Sequence, residues 1–175
     1  MLIHDFNDLA SEDSPDLAPA ALQKQIDEIN GWVTPDINSG VYRCGFATSQ
    51  DIYNEACTKL YAALDRVEKI LAKQRFLVGN TFTEADIRLF VSLIRFDEVY
   101  VVLYKTNKKL LREYLNILGY MKDVYQIPKM ALAVDMYHIK KFYFMSQLSL
   151  NPHGIIPLGT EINYSGPHDR ATRFR

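Results

Sequence analysis

One segment constrains this chain more than any other, the stretch from Phe82 to Tyr104. Thr83 is placed to cap the amides of Ala85 or Asp86, and the Asp86 carboxylate to reach back to the Thr83 amide. Phe82 and Ile87 occupy the two positions of a hydrophobic staple, which sets the angle at which the chain enters the helix. Ile87, Phe90, Val91 and Ile94 then share one face, while Leu89, Leu93 and Phe96 fill the others. A helix that is apolar nearly all round belongs in the middle of a core. Arg88, Arg95 and Asp97 lie inside this stretch and need partners wherever they are buried.

The remaining chain must wrap that helix, and its period of 3.6 says it does so with more helices. Pro19 opens a first one, with Leu22, Ile26 and Ile29 on one face and Gly31 at its end. From Gly31 to Ser49 the spacing of Gly31, Pro35, Gly40 and Gly45 predicts a loop. Thr48 with Asp51 then predicts the start of a long helix with Ile52, Ala56, Leu60, Ala63, Val67 and Ile70 as its stripe. Gly79-Asn80 breaks the chain before Phe82. Beyond Tyr104 a helix is predicted over 108–118, with Leu111, Tyr114, Leu115 and Leu118 apolar, and a short piece from Tyr120 stops before Pro128. Residues 129–148 restart at Asp135 with Ile139 and Phe142 on the buried side. Val99 to Tyr104 has strand propensity, yet no turn separates it from the preceding period, so it is read as helix.

The expected architecture is all-α: a flexible acidic lead-in over 1–15, a helical bundle over 16–150, and an irregular tail over 151–175. Residues 1–30 hold seven acidic side chains against the single Lys24. The tail has no periodicity but carries Ile155, Ile156, Leu158, Ile162 and Tyr164 among three prolines. Those anchors predict a segment laid over helix ends, or a cover over a pocket or partner interface.

Composition removes several function classes. With 175 residues, 48% of them apolar, and a formal net charge of -1, the chain is neither disordered nor an electrostatic nucleic-acid binder. Two cysteines exclude a disulfide-dense scaffold. The longest run without a charged residue, 142–160, contains Asn151, Pro152, Gly154, Pro157 and Gly159 and cannot stay helical through lipid. The opening Met1-Leu2-Ile3-His4-Asp5 has no basic region leading into an apolar core. A cytoplasmic protein with no membrane and no nucleic-acid partner is expected.

Self-contained catalytic patterns are missing too. His4, His138, His153 and His168 show no metal-ligand spacing, and no phosphate-cradling or nucleophile-elbow glycine motif occurs. No metal site is expected. Asp97 and Glu98 are adjacent carboxylates, and neighbours on a helix point apart. Arg43 beside Cys44 offers a thiolate-stabilising cation, although a packed thiol is the plainer reading for Cys44 and for Cys57. Eleven tyrosines are an excess that serves either as core edge or as phenol donors to aromatic and oxyanionic ligands.

Four blocks carry a resemblance. Leu77-Val78-Gly79-Asn80-Thr81-Phe82-Thr83-Glu84-Ala85-Asp86-Ile87-Arg88-Leu89-Phe90 resembles the capping-box segment of the glutathione transferase carboxy-terminal helical domain. Asn38-Ser39-Gly40-Val41-Tyr42-Arg43-Cys44-Gly45-Phe46-Ala47 and Ile94-Arg95-Phe96-Asp97-Glu98-Val99-Tyr100 are more specific. With Leu150-Asn151-Pro152-His153-Gly154-Ile155-Ile156-Pro157-Leu158-Gly159 they resemble the glutathionyl-hydroquinone reductases, or xi-class glutathione transferases. Tyr125-Gln126-Ile127-Pro128 and His138-Ile139-Lys140 support this.

The resemblance implies a glutathione-dependent reductase that releases hydroquinones from S-glutathionyl-hydroquinones and forms glutathione disulfide. In that family a thioredoxin-like domain holds glutathione and the nucleophilic cysteine. No such domain is recognised in this chain, so it is expected to be inactive alone and to contain no catalytic residue. Cys44 falls where the family commonly carries a small residue. Tyr42, Tyr100 and Tyr143 match family tyrosines that face the aromatic substrate, and Asn151, Pro152 and Gly154 match its tail motif. A homodimer is possible by the same resemblance. A non-catalytic scaffold that binds protein partners is the alternative. Three departures stand out: Leu103-Tyr104-Lys105 replaces a family His-Phe-Lys, Gln147 replaces a common histidine, and Gly159-Thr160 replaces Gly-Pro. They are expected to weaken pocket polarity and any tail-mediated subunit contact.

Overall fold

The computed structural model describes residues 14–159 and 161–174. The predicted lead-in therefore lies almost entirely outside the described residues. A 3₁₀ turn at Ala20–Leu22 feeds α1 (Gln23–Val33), which buries Ile26 and Val33. The loop expected from Gly31 to Ser49 is instead helical. A π-helical turn, Thr34–Asn38, leads into α2 (Gly40–Gly45). Val33, Ile37, Val41 and Cys44 carry the buried stripe straight through, so a period of about four residues outweighs the Gly and Pro punctuation. Pro35 has no amide to donate, and the ladder widens there: Ser39 N–H reaches the Thr34 carbonyl at 2.9 Å.

Next comes α3 (Gln50–Leu71), whose cap is Ser49 rather than Thr48: Ser49 Oγ accepts from the Ile52 amide at 3.3 Å. Ile52 is exposed, and the buried stripe is Ala56, Cys57, Leu60, Tyr61, Ala63, Leu64, Val67 and Leu71. The predicted central helix forms as α4 (Glu84–Arg95), continues through a second π-helical turn, Phe96–Tyr100, and ends in α5 (Val101–Leu103). It packs against α1, the first π-helical turn and α6. Among the described residues extended pairing is limited to an isolated bridge between Val78 and Thr81.

Thr83 and Asp86 form the expected capping box, with more attached to it than local sequence suggests. The fully buried Asp86 carboxylate accepts the amides of Leu77 and Thr83, each at 2.9 Å, and the hydroxyls of Thr83 and Tyr120, each at 3.1 Å. Four donors on one carboxylate join the helix start, the segment before it and α6.

The helix predicted over 108–118 is displaced. A 3₁₀ turn occupies Leu111–Glu113, Tyr114 is extended, and α6 runs Leu115–Tyr125 without a break at Tyr120. Both starts are capped by distant carboxylates. Asp97 accepts the Leu111 amide at 2.7 Å, and Glu68 accepts the Asn116 and Ile117 amides at 3.0 and 2.9 Å. After a 3₁₀ turn at Met130–Ala133, α7 (Met136–Ser146) starts as predicted at Asp135, which accepts the His138 amide at 2.9 Å. Ile139 is buried, but Phe142 is exposed, and Tyr143 and Phe144 face inward in its place.

The tail does lie on the bundle, though by different anchors. Ile155 and Leu158 are exposed, while Ile156 and Ile162 pack on the core and Tyr164 is buried. Asn151 Nδ2 donates to the carbonyls of Phe144 and Ile155, tying the end of α7 to the turn at Gly154. A short α8 (Arg170–Arg173) buries Arg170 completely. Its guanidinium donates to the carbonyls of Leu71, Gln74 and Arg75, which close α3.

Two outcomes follow. Burial raises the Asp86 pKa from 3.8 to about 6, so the folded state binds a proton that the unfolded state has shed between about pH 4 and 6. This group's contribution is fully present below the lower value and is lost as pH rises through the upper one, on the order of 3 kcal/mol. Stability measured by urea unfolding across that window will fall with this slope in the native chain and lose it in Asp86→Asn. Glycines will answer oppositely. Gly31 has open space around it, so Gly31→Ala gains about 0.5–1 kcal/mol in a helix interior. A Cβ on Gly45 would stand 2.2 Å from the Tyr104 ring, so Gly45→Ala loses about 1–3 kcal/mol by thermal unfolding.

Candidate aromatic-binding cleft

Both π-helical turns open onto the same place. The first sets α2 so that Tyr42 projects from its outer face, and the second carries Tyr100. Tyr143 arrives from α7. The three side chains meet in a cleft of about 420 Å³, completed by Thr34, Asn38, Arg88, Val91, Ser92 and Arg95. Tyr42 Oη lies 2.7 Å from Tyr143 Oη, and Tyr143 Oη lies 3.1 Å from Tyr100 Oη. Tyr143 therefore sits at the centre of a chain of three hydroxyls. Tyr100 and Tyr143 are buried, while Tyr42 is 37% exposed at the mouth. The three predicted pocket residues come together in one site.

Burial and the contact with Tyr143 push the Tyr42 pKa up to about 12. The same causes, with burial dominant, push Tyr100 higher still. Arg95 acts against both shifts without reversing them. Tyr42 and Tyr100 thus stay protonated at neutral pH and act as hydrogen-bond donors rather than as phenolates.

Behind the wall lies a residue that the pattern of candidate phenols missed. The Tyr104 ring stacks on Tyr100 at 5.4 Å with an interplanar angle of 9°, and lies 5.2 Å from Tyr42. Gly45 provides the space that its ring occupies. Tyr104 Oη is hydrogen-bonded to the Gln147 side-chain amide, with 2.9 Å to Oε1 and 2.8 Å to Nε2. Two of the three departures noted in the sequence, at 104 and 147, are therefore partners. Together they make a polar contact behind the aromatic wall.

A buried ion pair fixes the two elements that carry Tyr100 and Tyr143. Lys140 Nζ lies 2.7 Å from Glu98 Oε2, with both side chains largely covered. Asp97 turns instead to the amides of Leu111 and Arg112, so the adjacent carboxylates diverge as expected. The tail crosses this pair: the Ile162 amide donates to Glu98 Oε1 at 3.4 Å. Asn38 holds the opposite side of the cleft, donating to the Arg88 carbonyl at 2.8 Å and to Ser92 Oγ at 2.6 Å.

Neither thiol belongs to this cleft. Cys44 and Cys57 are both free and buried, and burial with the neighbouring Cys57 pushes Cys44 up to about 12. Arg43 does not offset this, so the thiolate suggested by its position does not form at neutral pH. Among the described residues no group of three or more His, Cys, Asp or Glu side chains could hold a metal ion. No helix among them is long and apolar enough to cross a membrane.

The family model for the glutathione S-transferase C-terminal domain matches residues 50–123. Glutathionyl-hydroquinone reductase YqjG of Escherichia coli K12 is 48% identical over 159 residues, covering 91% of this chain and 48% of that protein. Glutathionyl-hydroquinone reductase PcpF of Sphingobium chlorophenolicum is 40% identical over 144 residues, covering 82% of this chain and 46% of that protein. The glutathione-bound structure of YqjG matches with a TM-score of 0.94 at 45% identity, over 99% of this chain and 56% of that one. The xi-class enzyme from Natrialba magadii matches with a TM-score of 0.93 at 38% identity, over 98% of this chain and 52% of that one. The chain spans about half the length of these relatives. Fold, order of motifs and sequence agree that it belongs to the xi-class glutathione transferase, or glutathionyl-hydroquinone reductase, family, as that family's carboxy-terminal helical-domain region.

Proposed function

We propose that this chain forms the substrate-side wall of a glutathione-dependent reductase that frees hydroquinones from S-glutathionyl-hydroquinones. The observation that carries this reading is the chain of hydroxyls from Tyr42 through Tyr143 to Tyr100 at the cleft. Two curated relatives named glutathionyl-hydroquinone reductases support it. Convergence of the three phenols on one cleft favours a small aromatic ligand over the protein-binding scaffold.

The chemistry assigns separate tasks to two domains. A thiolate from a thioredoxin-like domain attacks the sulfur of the conjugate and forms a mixed disulfide with glutathione. The carbon–sulfur electron pair passes to the ring carbon, which takes up a proton and leaves as the free hydroquinone. A second glutathione thiolate then displaces the enzyme thiolate, giving glutathione disulfide. The residues of this chain serve the departing ring. Two of the three hydroxyl protons join the chain, with Tyr100 donating to Tyr143 and Tyr143 to Tyr42, which leaves the Tyr42 proton, kept on its oxygen by burial, to donate to the ring oxygen as charge builds. A positioned donor of this kind is worth about 10²–10³ in rate.

Mixed with glutathione and an S-glutathionyl-hydroquinone, the chain alone will release no hydroquinone. Calorimetry will still register binding of the conjugate, and Tyr42→Phe will weaken it about tenfold through the loss of the hydroxyl that donates to the ring. Turnover by the chain that disappears in Cys44→Ser contradicts the assignment.

A further inference from the structure

The cleft has an electrostatic bias that the three phenols do not account for. Two guanidiniums, Arg88 and Arg95, line it, and among the described residues no carboxylate does. The two cations differ in their surroundings. Arg88 is half-exposed and has an acidic neighbour one turn away, Glu84 Oε1 at 3.4 Å. Arg95 has no acid partner among the described residues. Its side chain donates from Nη1 to the Val91 carbonyl on its own helix, so most of its five N–H donors remain available.

Arg95 is also the cation whose charge acts on the phenols. It precedes the π-helical turn that bears Tyr100, and its charge favours ionisation of both Tyr100 and Tyr42. Its field therefore reaches the floor and the mouth of the cleft. An unpaired guanidinium in a partly dehydrated cleft attracts an anion more strongly than the same group in open water. Carboxylate is the matching ligand, because two parallel N–H donors can meet its two oxygens.

Resting on the function proposed above, we propose that Arg95 is a specificity-determining residue that selects hydroquinones bearing a carboxylate on the ring. The phenols hold the diol, and Arg95 holds the charged substituent beside it. Arg88, offset by Glu84, contributes less. The carboxylates of the glutathionyl group are the other source of the same charge, so the test uses diols that lack glutathione.

The experiment is a titration of the whole chain with 1,4-dihydroxybenzene and with 2,5-dihydroxybenzoate at low ionic strength, followed by tyrosine fluorescence. The carboxylated diol will bind about tenfold more tightly, and 0.5 M salt will reduce that advantage. Arg95→Gln will bring the ratio of the two affinities close to one. Arg95→Lys, which keeps the charge and gives up the paired donors, will retain part of it, so that loss of charge is separated from loss of fold. Equal binding of the two diols, or an advantage that survives in Arg95→Gln, overturns the role of Arg95 and leaves the function proposed for the cleft standing. Failure of both diols to bind overturns the aromatic reading of the cleft and this inference with it. A preference that appears only in the glutathionyl conjugates assigns Arg95 to the glutathionyl carboxylates and rejects the ring-substituent claim.

Discussion

A single buried carboxylate determines where the working parts of this molecule stand. Asp86 receives two amides and two hydroxyls, and in doing so fixes the first turn of α4, the strand-like segment before it and the inner face of α6. A carboxylate with four donors cannot move without leaving several of them unsatisfied. The direction of α4 follows, and with it the position of the second π-helical turn three helical turns farther on. Tyr100 has its place because α4 has its direction. The same economy recurs at Glu68, Asp97 and Arg170, where charged side chains close helix ends that are remote in sequence.

The cleft is therefore a product of rigid elements rather than of loops. Both of its main walls leave an α-helix through a widened turn, a feature often found where backbone geometry serves a site. The phenols approach from three different elements and are then locked by one another, by the Tyr104 ring stacked on Tyr100 and by the Glu98–Lys140 pair. Packing of this kind limits rotamer change, so the hydroxyls are presented in a fixed array and an aromatic ligand of the kind proposed would bind at little further entropic cost. Their neutral state suits donation to oxygen atoms that gain negative charge.

Local devices were readable from the residues, and long-range ones were not. The Thr83–Asp86 box and the Asp135 cap lie within three residues of the groups they serve, so local sequence announces both. The start of α6 is different, because its cap is Glu68, forty-eight residues upstream. No local pattern announces such a partner. From Gly31 to Gly45 glycine and proline point to a loop, whereas the buried series Val33, Ile37, Val41 and Cys44 keeps the chain helical. Gly45 is not a turn residue at all but the space into which Tyr104 fits. For the site, motif resemblance selected Tyr42, Tyr100 and Tyr143, whereas composition only marked tyrosine as plentiful. Tyr104 and Arg95 emerged from geometry, one by stacking and the other by lining the cleft without an acid partner.

The central claim is that three phenols from separate elements form one receptor for an aromatic diol. It is tested most directly by NMR of the chain with ring-labelled tyrosine, titrated with 1,4-dihydroxybenzene. The account predicts saturable shifts confined to Tyr42, Tyr100, Tyr143 and the stacked Tyr104, all with one dissociation constant. Shifts centred on Tyr125, Tyr137 or Tyr164 instead, or no saturable shift at any tyrosine, contradict it.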